Sequence, residues 1–347
     1  AQAENAFDAA EPGHDNSSHE LVLKWLQLGD GAANRTAAER VLAYLTDAEL
    51  ERLLRELPLD DLMAPLANDG GMYSAPALIR DGTVLPAEPL LEVFSRADGW
   101  NRVPVLAGTN RDEIKLFLAL DEQHTTRRFG LFPAVADPAR YEAIARLHSD
   151  NWKAIGVDEP LARMAAAAPD LPLFAYRFDW DAMRSNWLID LPQLLGAAHG
   201  LELDFLFEPL FSERVPGVLT DSNRGEVTAL GRAMRDYWAG FAYSGRPGSG
   251  RSAAYPPWPR WRPEQPLLMV LDAPLETGLR VEEAGVRVAD VKETLAATTN
   301  LGARLRCALY VDMFRENNGV VELFSAREYQ ELGCAPFPAR SLVGESR

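Results

Sequence analysis

The stretch Val103-Pro104-Val105-Leu106-Ala107-Gly108-Thr109-Asn110-Arg111-Asp112-Glu113 does most to limit what this chain can fold into. It opens as a short apolar run of buried-strand type and stops at a Gly-Thr-Asn turn. Two adjacent carboxylates follow at once. In an α/β sheet, functional groups gather just past the carboxyl ends of the strands, which is where Asp112 and Glu113 fall.

Composition narrows the classes. With 47% hydrophobic residues over 347 positions, the chain is long enough for one large globular domain or two smaller ones. Its net charge of -16 is spread along the sequence rather than gathered in a tail. Such a surface repels phosphate backbones and anionic lipid, which argues against nucleic-acid and membrane-surface roles. No apolar run approaches the roughly 18 residues that a membrane helix needs. Cys307 and Cys334 lack zinc spacing and either pair with each other or are both free, so the redox compartment stays open. The chain starts at Ala1 without a Met or a signal peptide, which predicts a fragment, a processed chain or an incomplete gene.

In order along the chain, a polar start gives way to helical pattern from about Glu20 to residue 65, with Ser17 or Ser18 as its cap. Thr36-x-x-Glu39 and Thr46-x-x-Glu49 both read as capping boxes. Val41, Leu42 and Leu45 form one apolar stripe; Leu50, Leu53, Leu54 and Leu57 form another. Asn68-Asp69-Gly70-Gly71 predicts a turn, and Asp81-Gly82 a hairpin or tight turn. Helical residues 87–97 lead into the strand at Val103. A polar stretch around His124 and a helix over 139–156 come next. Leu171 to Trp180 alternates and is rich in aromatics, so it predicts a strand. A helix is expected over 224–244, a rigid aromatic loop over 256–261, and a last short strand at Leu267–Leu271. The remainder reads as helical to about Glu316, with a loop-rich tail. No linker or repeat divides the chain.

Two strand-then-loop units thus carry Asp112/Glu113 and then His199. A neutral imidazole that takes a proton from a nucleophilic hydroxyl needs a carboxylate behind it, to fix its tautomer and stabilise the imidazolium. The order acid then histidine is the one in which Ser-acid-His hydrolase triads end. His14, His19, His124 and His148 show no ligand spacing; His14 and His19 read as structural, and His124 and His148 as surface residues. No metal or cofactor is expected.

Four motifs then share one resemblance. Gly108-Thr109-Asn110-Arg111-Asp112-Glu113 with Phe117 resembles the acid motif of the type-B carboxylesterase (cholinesterase-like esterase and lipase) family. Ala198-His199-Gly200-Leu201-Glu202 with the Phe-rich run to Phe207 is similar to its histidine motif. Asp81-Gly82-Thr83-Val84-Leu85-Pro86 resembles a stretch that precedes the acid strand. Tyr237-Trp238-Ala239-Gly240-Phe241-Ala242, Gly245-Arg246-Pro247 and Trp258-Pro259 resemble a late pattern of the family. The resemblance implies a partial α/β-hydrolase fold in one incomplete domain over 1–347. Within it, 1–100 would be a helical region leading to the acid strand, 101–210 the acid and histidine segment, and 211–347 the C-terminal helices and last strand. It implies Glu113 as triad acid and His199 as general base. Asp112 would structure the turn, and Glu202 would be a buried supporting carboxylate. The partner would be a small-molecule carboxylic ester, and Trp180, Trp187, Phe205 and Phe207 are pocket-lining or core candidates.

The departure from the family is the nucleophile. Residues 1–112 contain no Gly-x-Ser-x-Gly elbow and no glycine-rich oxyanion motif, and Gly344-Glu345-Ser346-Arg347 lies on the wrong side of the acid and histidine. The expectation is a hydrolase portion that supplies acid and base only. It would be inactive and poorly soluble without an N-terminal segment, because its acid strand would lack inner neighbours. The competing reading is a non-catalytic binding module on the same fold.

Overall fold

The computed structural model describes residues 18–28, 31–66, 82–207, 211–273, 278–315 and 323–342. The predicted turns at 68–71 and at Asp81, His14, and the Gly344–Arg347 segment lie outside them. The described residues form two compact units, divided at Leu90.

The first unit is helical. It comprises α1 (Ser18–Leu26), α2 (Arg35–Tyr44), α3 (Asp47–Glu56) and α4 (Leu59–Met63). Its core is Val22, Leu23, Leu26 and Ala38, against which Val41, Leu42, Leu45, Leu50 and Leu53 pack, so the two predicted stripes face one centre. Thr46 and Glu49 form the expected capping box on α3. The box expected at Thr36 does not form: Asn34 caps α2 by accepting from the Ala37 amide, and Glu39 instead pairs with Arg35 at 3.0 Å. An Asn two positions upstream already satisfies the free amides, so Thr36 is left inside the helix.

The second unit holds the sheet. Its elements are α5 (Leu90–Phe94), β1 (Val105–Asn110), α6 (Lys115–Leu120), β2 (Thr125–Arg128), β3 (Phe132–Val135), α7 (Pro138–Lys153), α8 (Glu159–Ala167) and β4 (Leu173–Phe178). Then come α9 (Leu191–Leu194), α10 (Leu203–Leu206), α11 (Phe211–Arg214), α12 (Arg224–Ser244), β5 (Leu267–Leu271) and β6 (Arg280–Glu283). The unit ends with α13 (Val288–Ala297), α14 (Ala303–Arg315) and α15 (Ala326–Glu331). The sheet order is β1-β4-β5-β6, with the first two pairings parallel and the last antiparallel.

Period-two alternation explains how this sheet is covered. Phe174, Tyr176 and Phe178 of β4 face a core with Tyr141 and Ile144 of α7, Met234 and Tyr237 of α12, and Leu309 of α14. Leu173 and Ala175 face the other side, with Leu161 and Met164 of α8, Trp261 and Leu268. Helices thus cover both faces, the arrangement of the α/β class.

Three elements depart from the sequence reading. Gly108-Thr109-Asn110, read as a turn, is the end of β1, paired in parallel with Tyr176, Arg177 and Phe178 of β4. The polar stretch after His124 is a hairpin, β2–β3, and β5 is not the last strand, since the charged segment Arg-Val-Glu-Glu pairs with it as β6. β2 (Thr-Thr-Arg-Arg) and β6 are polar, partly exposed strands, so neither carries an apolar signal. Two histidines are corrected as well. His124 is 5% exposed and packs edge-on to Tyr141, and the His148 imidazole is mostly buried beside Asp312 at 3.7 Å. Cys307 and Cys334 form a disulfide with Cα atoms 5.6 Å apart, tying α14 to the turn after α15. Closing a loop of this length contributes about 3.5 kcal/mol. No helix among the described residues is long and apolar enough to cross a membrane.

Candidate active site

β1 ends at Asn110, and the chain turns so that Glu113 folds back on the last two strand residues. Glu113 Oε1 accepts from the Asn110 amide at 2.7 Å and from Thr109 Oγ1 at 3.0 Å. Its other oxygen, Oε2, meets His199 Nδ1 at 2.6 Å, across 86 positions of sequence. An ionised carboxylate only accepts, so Nδ1 carries the proton and Nε2 is left with a lone pair. Among the described residues no serine hydroxyl is hydrogen-bonded to this imidazole.

The two ends of this pair sit in different surroundings. Glu113 is 5% exposed, whereas the His199 side chain is 45% exposed. Phe117 of α6 and Trp152 of α7 flank the imidazole, with ring centroids 5.8 and 5.2 Å away. The hydrogen bond to Glu113 raises the His199 pKa above its ordinary value; partial burial opposes this, and the charges of Glu113 and Glu202 add to it.

Asp112 serves the histidine turn rather than the imidazole. Its Oδ2 accepts from the Ala197 amide at 3.0 Å, and its own amide donates to the Ala197 carbonyl at 3.1 Å. A Cβ on Gly196 (φ +53) would lie 2.4 Å from Asp112 Oδ2, so only glycine lets the two turns approach this closely. Arg111 holds Asp112 from the other side at 2.9 Å and also pairs with Asp181.

Asn110 joins the turns a second time. Its Nδ2 donates to the Ala198 carbonyl at 2.7 Å and to Glu202 Oε2 at 2.5 Å. Burial pushes the Glu202 pKa up, with the Asn110 amide partly offsetting it. Glu202 is therefore a half-buried carboxyl joined to the acid turn.

Below the pair lies an aromatic support that the residues alone did not single out. A Cβ on Gly108 would come within 2.2 Å of the Tyr176 ring, so the absence of a side chain at 108 is what lets Tyr176 lie across β1. Tyr176 packs edge-on to Trp238 at 5.2 Å and Trp258 at 6.4 Å, and Trp258 Nε1 donates to the Ala175 carbonyl at 3.0 Å. Burial, with the charges of Glu202 and Glu113 adding to it, raises the Tyr176 phenol well above its ordinary pKa. The late Trp-rich motif thus props the floor of the site.

Thr109, Asn110, Trp152 and Tyr176 were missed as site residues. A Thr-Asn pair at a strand end was the available signal for the first two; nothing local marks the others. Of the four aromatic pocket candidates, Trp180 and Phe205 are core residues in mutual contact at 5.0 Å, while Trp187 and Phe207 are exposed. A cavity of about 140 Å³ lies behind the acid turn, lined among others by Arg111, Lys153 and Arg177. Each of these cations is already ion-paired. Among the described residues no cluster of three His, Cys, Asp or Glu side chains is placed to hold a metal ion.

Comparison with known proteins follows this geometry. Residues 134–288 match the Carboxylesterase family, a span that contains His199 and Glu202 but begins after Glu113. The para-nitrobenzyl esterase of Bacillus subtilis (strain 168) is 27% identical over 267 residues, covering 70% of this chain and 50% of that protein. Carboxylesterase 4A of Bos taurus is 33% identical over 112 residues, 32% of this chain and 18% of that one. A solved carboxylesterase of Geobacillus stearothermophilus superposes with a TM-score of 0.44 at 23% identity, over 79% of this chain and 53% of its own. The chain therefore spans about half the length of the para-nitrobenzyl esterase.

Proposed function

We propose, from the Carboxylesterase family match over residues 134–288 and the likeness to para-nitrobenzyl esterase, that the chain is a carboxylesterase-family α/β hydrolase portion that supplies the acid and general base of a carboxylic ester hydrolase. The observation that carries this reading is the 2.6 Å contact between His199 Nδ1 and Glu113 Oε2. It leaves Nε2 as the proton acceptor, on a side chain that is 45% exposed.

In the proposed reaction a serine hydroxyl gives its proton to His199 Nε2 as its oxygen attacks the ester carbonyl. The proton then passes to the departing alcohol, leaving an acyl-enzyme. Water, deprotonated by the same nitrogen, releases the acid and restores the serine. Glu113 stays ionised throughout and stabilises the imidazolium. Asp112 and Asn110 hold the histidine turn at the distance this requires. The competing reading, a non-catalytic binding module, gives no reason for a buried carboxylate to be held by two donors and aimed at an imidazole.

The 347-residue chain should not turn over p-nitrophenyl acetate; rapid turnover by the pure chain would overturn the assignment of roles. A form carrying this chain together with a Gly-x-Ser-x-Gly serine should be active. There, His199→Ala should lower kcat by about 10⁶-fold. Unchanged kcat in that variant would remove His199 from the reaction.

A further inference from the structure

Glu113 fixes one nitrogen of His199 and leaves the rest of the ring to be held by other means. A single hydrogen bond, at 2.6 Å from Nδ1 to Oε2, sets a distance but permits the imidazole to turn about that line. The side chain is 45% exposed, so the core does not enclose it. Two aromatic rings meet it instead, Phe117 and Trp152, with centroids 5.8 and 5.2 Å from that of the imidazole. These two also stack on each other, 25° from parallel and 6.3 Å apart. The imidazole therefore sits in a corner of two rings rather than against a single wall.

Trp152 is firmly placed for this. Its neighbours on both sides are buried and tied elsewhere. Asn151 Nδ2 donates to the Met313 carbonyl of α14 at 3.3 Å. Lys153 Nζ donates to the Ala284 carbonyl at 2.6 Å and pairs with Asp158. Directly after Lys153 the helix passes through one π-helical turn, Ala154–Asp158, a distortion that is frequent beside functional groups. Among the described residues the Trp152 indole N–H has no hydrogen-bond partner, so it is the ring that makes the contact and not its polar edge.

The charge that matters here is the one His199 gains when Nε2 takes a proton. Two charged groups act on the imidazole, Glu113 from the acid turn and Glu202 from its own turn; α6 and α7 bring rings to it rather than charges. The face of an aromatic ring is negative and attracts a cation within about 6 Å of its centre, and indole does so best.

We propose that Trp152 is a positioning residue for His199: with Phe117 it holds the imidazole against Glu113, and its indole stabilises the imidazolium formed when Nε2 is protonated. For the reaction this lowers the energy of every state in which the proton rests on His199. That consequence rests on the ester-hydrolase reading; the effect on the imidazole does not.

The test is a titration of the intact chain, following the His199 ring protons by NMR in wild type, Trp152→Leu and Trp152→Phe. Leucine keeps apolar cover over the imidazole and removes the negative face. Proton affinity should then fall roughly threefold, read as a drop of about half a unit in the titration midpoint. Phenylalanine keeps a face and should recover most of that loss. Emission gives a second readout that does not need the leucine variant to fold. An imidazolium quenches a neighbouring indole, and among the described residues no other tryptophan is in ring contact with a histidine. Wild-type emission should fall on acidification with the midpoint of the His199 titration, and Trp152→Phe should lack that step. An unchanged midpoint in folded Trp152→Leu, a phenylalanine variant as low as the leucine one, or wild-type emission without the step would each overturn the proposal. In the serine-carrying form the two readings separate. A titration indifferent to Trp152 with kcat lost in His199→Ala removes Trp152 alone. A responsive titration with kcat unchanged in His199→Ala removes the hydrolase reading alone.

Discussion

The acid turn and the histidine turn face each other across a few ångströms but are built in opposite ways. Glu113 is held by residues three and four positions before it in the chain, at the end of a strand, and is buried. His199 is held by partners that all lie elsewhere in sequence: Glu113 at Nδ1, Trp152 and Phe117 beside the ring, and Asp112 and Asn110 under the turn. The acid turn is a local structure that folds with its strand. The histidine turn has local backbone bonds, Ala198 to Gly196 and Leu201 to Ala198, but its approach to Glu113 is set by Asp112 and Asn110 of the acid turn. Under the proposed roles, long-range placement suits a base that presents one nitrogen to a reactant, and burial suits a carboxylate that orients and stabilises it.

That contrast can be broken most forcefully through glycines. Gly108→Val drives a side chain into the Tyr176 ring and should cost about 3 kcal/mol, read from urea melts. Gly200→Ala on the histidine side should cost only about 1 kcal/mol, because its φ of +79 is strained for alanine but its Cβ would meet nothing within 4 Å. Equal costs would mean the two turns are not built differently. Next in size is Asn110→Ala, which strips a buried donor from both the Ala198 carbonyl and Glu202 and should cost about 2 kcal/mol. A loss confined to the acid turn, with the amide exchange of residues 197–202 unchanged, would contradict the part of Asn110 in setting the approach of the histidine turn.

The smallest effect is in the pH dependence. Glu113→Gln removes the charge behind Nδ1, so the His199 pKa, raised in the folded chain, should fall towards its ordinary value in an NMR titration of its ring protons. The sign for stability follows. A histidine whose folded pKa is raised adds stability that is complete below its unfolded pKa of about 6.5 and is lost as pH rises through the folded value. The wild type should therefore show a small loss of stability across that window, and Glu113→Gln should show less of it. A stability gain with rising pH there would mean that His199 is neutral-preferring and not paired as described.

Legibility followed the same division. The α12 helix was readable to the residue, because its apolar stripe has a strong 3.6 period and Gly245 caps it in the left-handed conformation. β4 and β5 were readable as aromatic or apolar runs within two residues, whereas β1 was read only in its apolar half, because its polar end Gly108-Thr109-Asn110 looks like a turn and is held in the sheet by backbone pairing with β4. The β2–β3 hairpin was not, because Thr-Thr-Arg-Arg is an exposed strand whose pairing rests on backbone hydrogen bonds rather than on side-chain burial. The same holds for β6. In the site, Glu113 and His199 were picked out by motif resemblance; spacing alone said only that an acid and a histidine follow two strands. Trp152 and Tyr176 left no local trace, since their role exists only where α7 and β4 converge on the histidine turn.

The contact between Gly108 and Tyr176 has one more implication, for how this chain can change over time. Facing each other in parallel register, the two positions share one fixed volume beneath the acid turn. Any lineage that gains a side chain at 108 must first shrink the ring at 176, and the intermediate with both is the least stable of the set. The two positions therefore form a single inherited unit, and comparison of related chains should find them varying together or not at all.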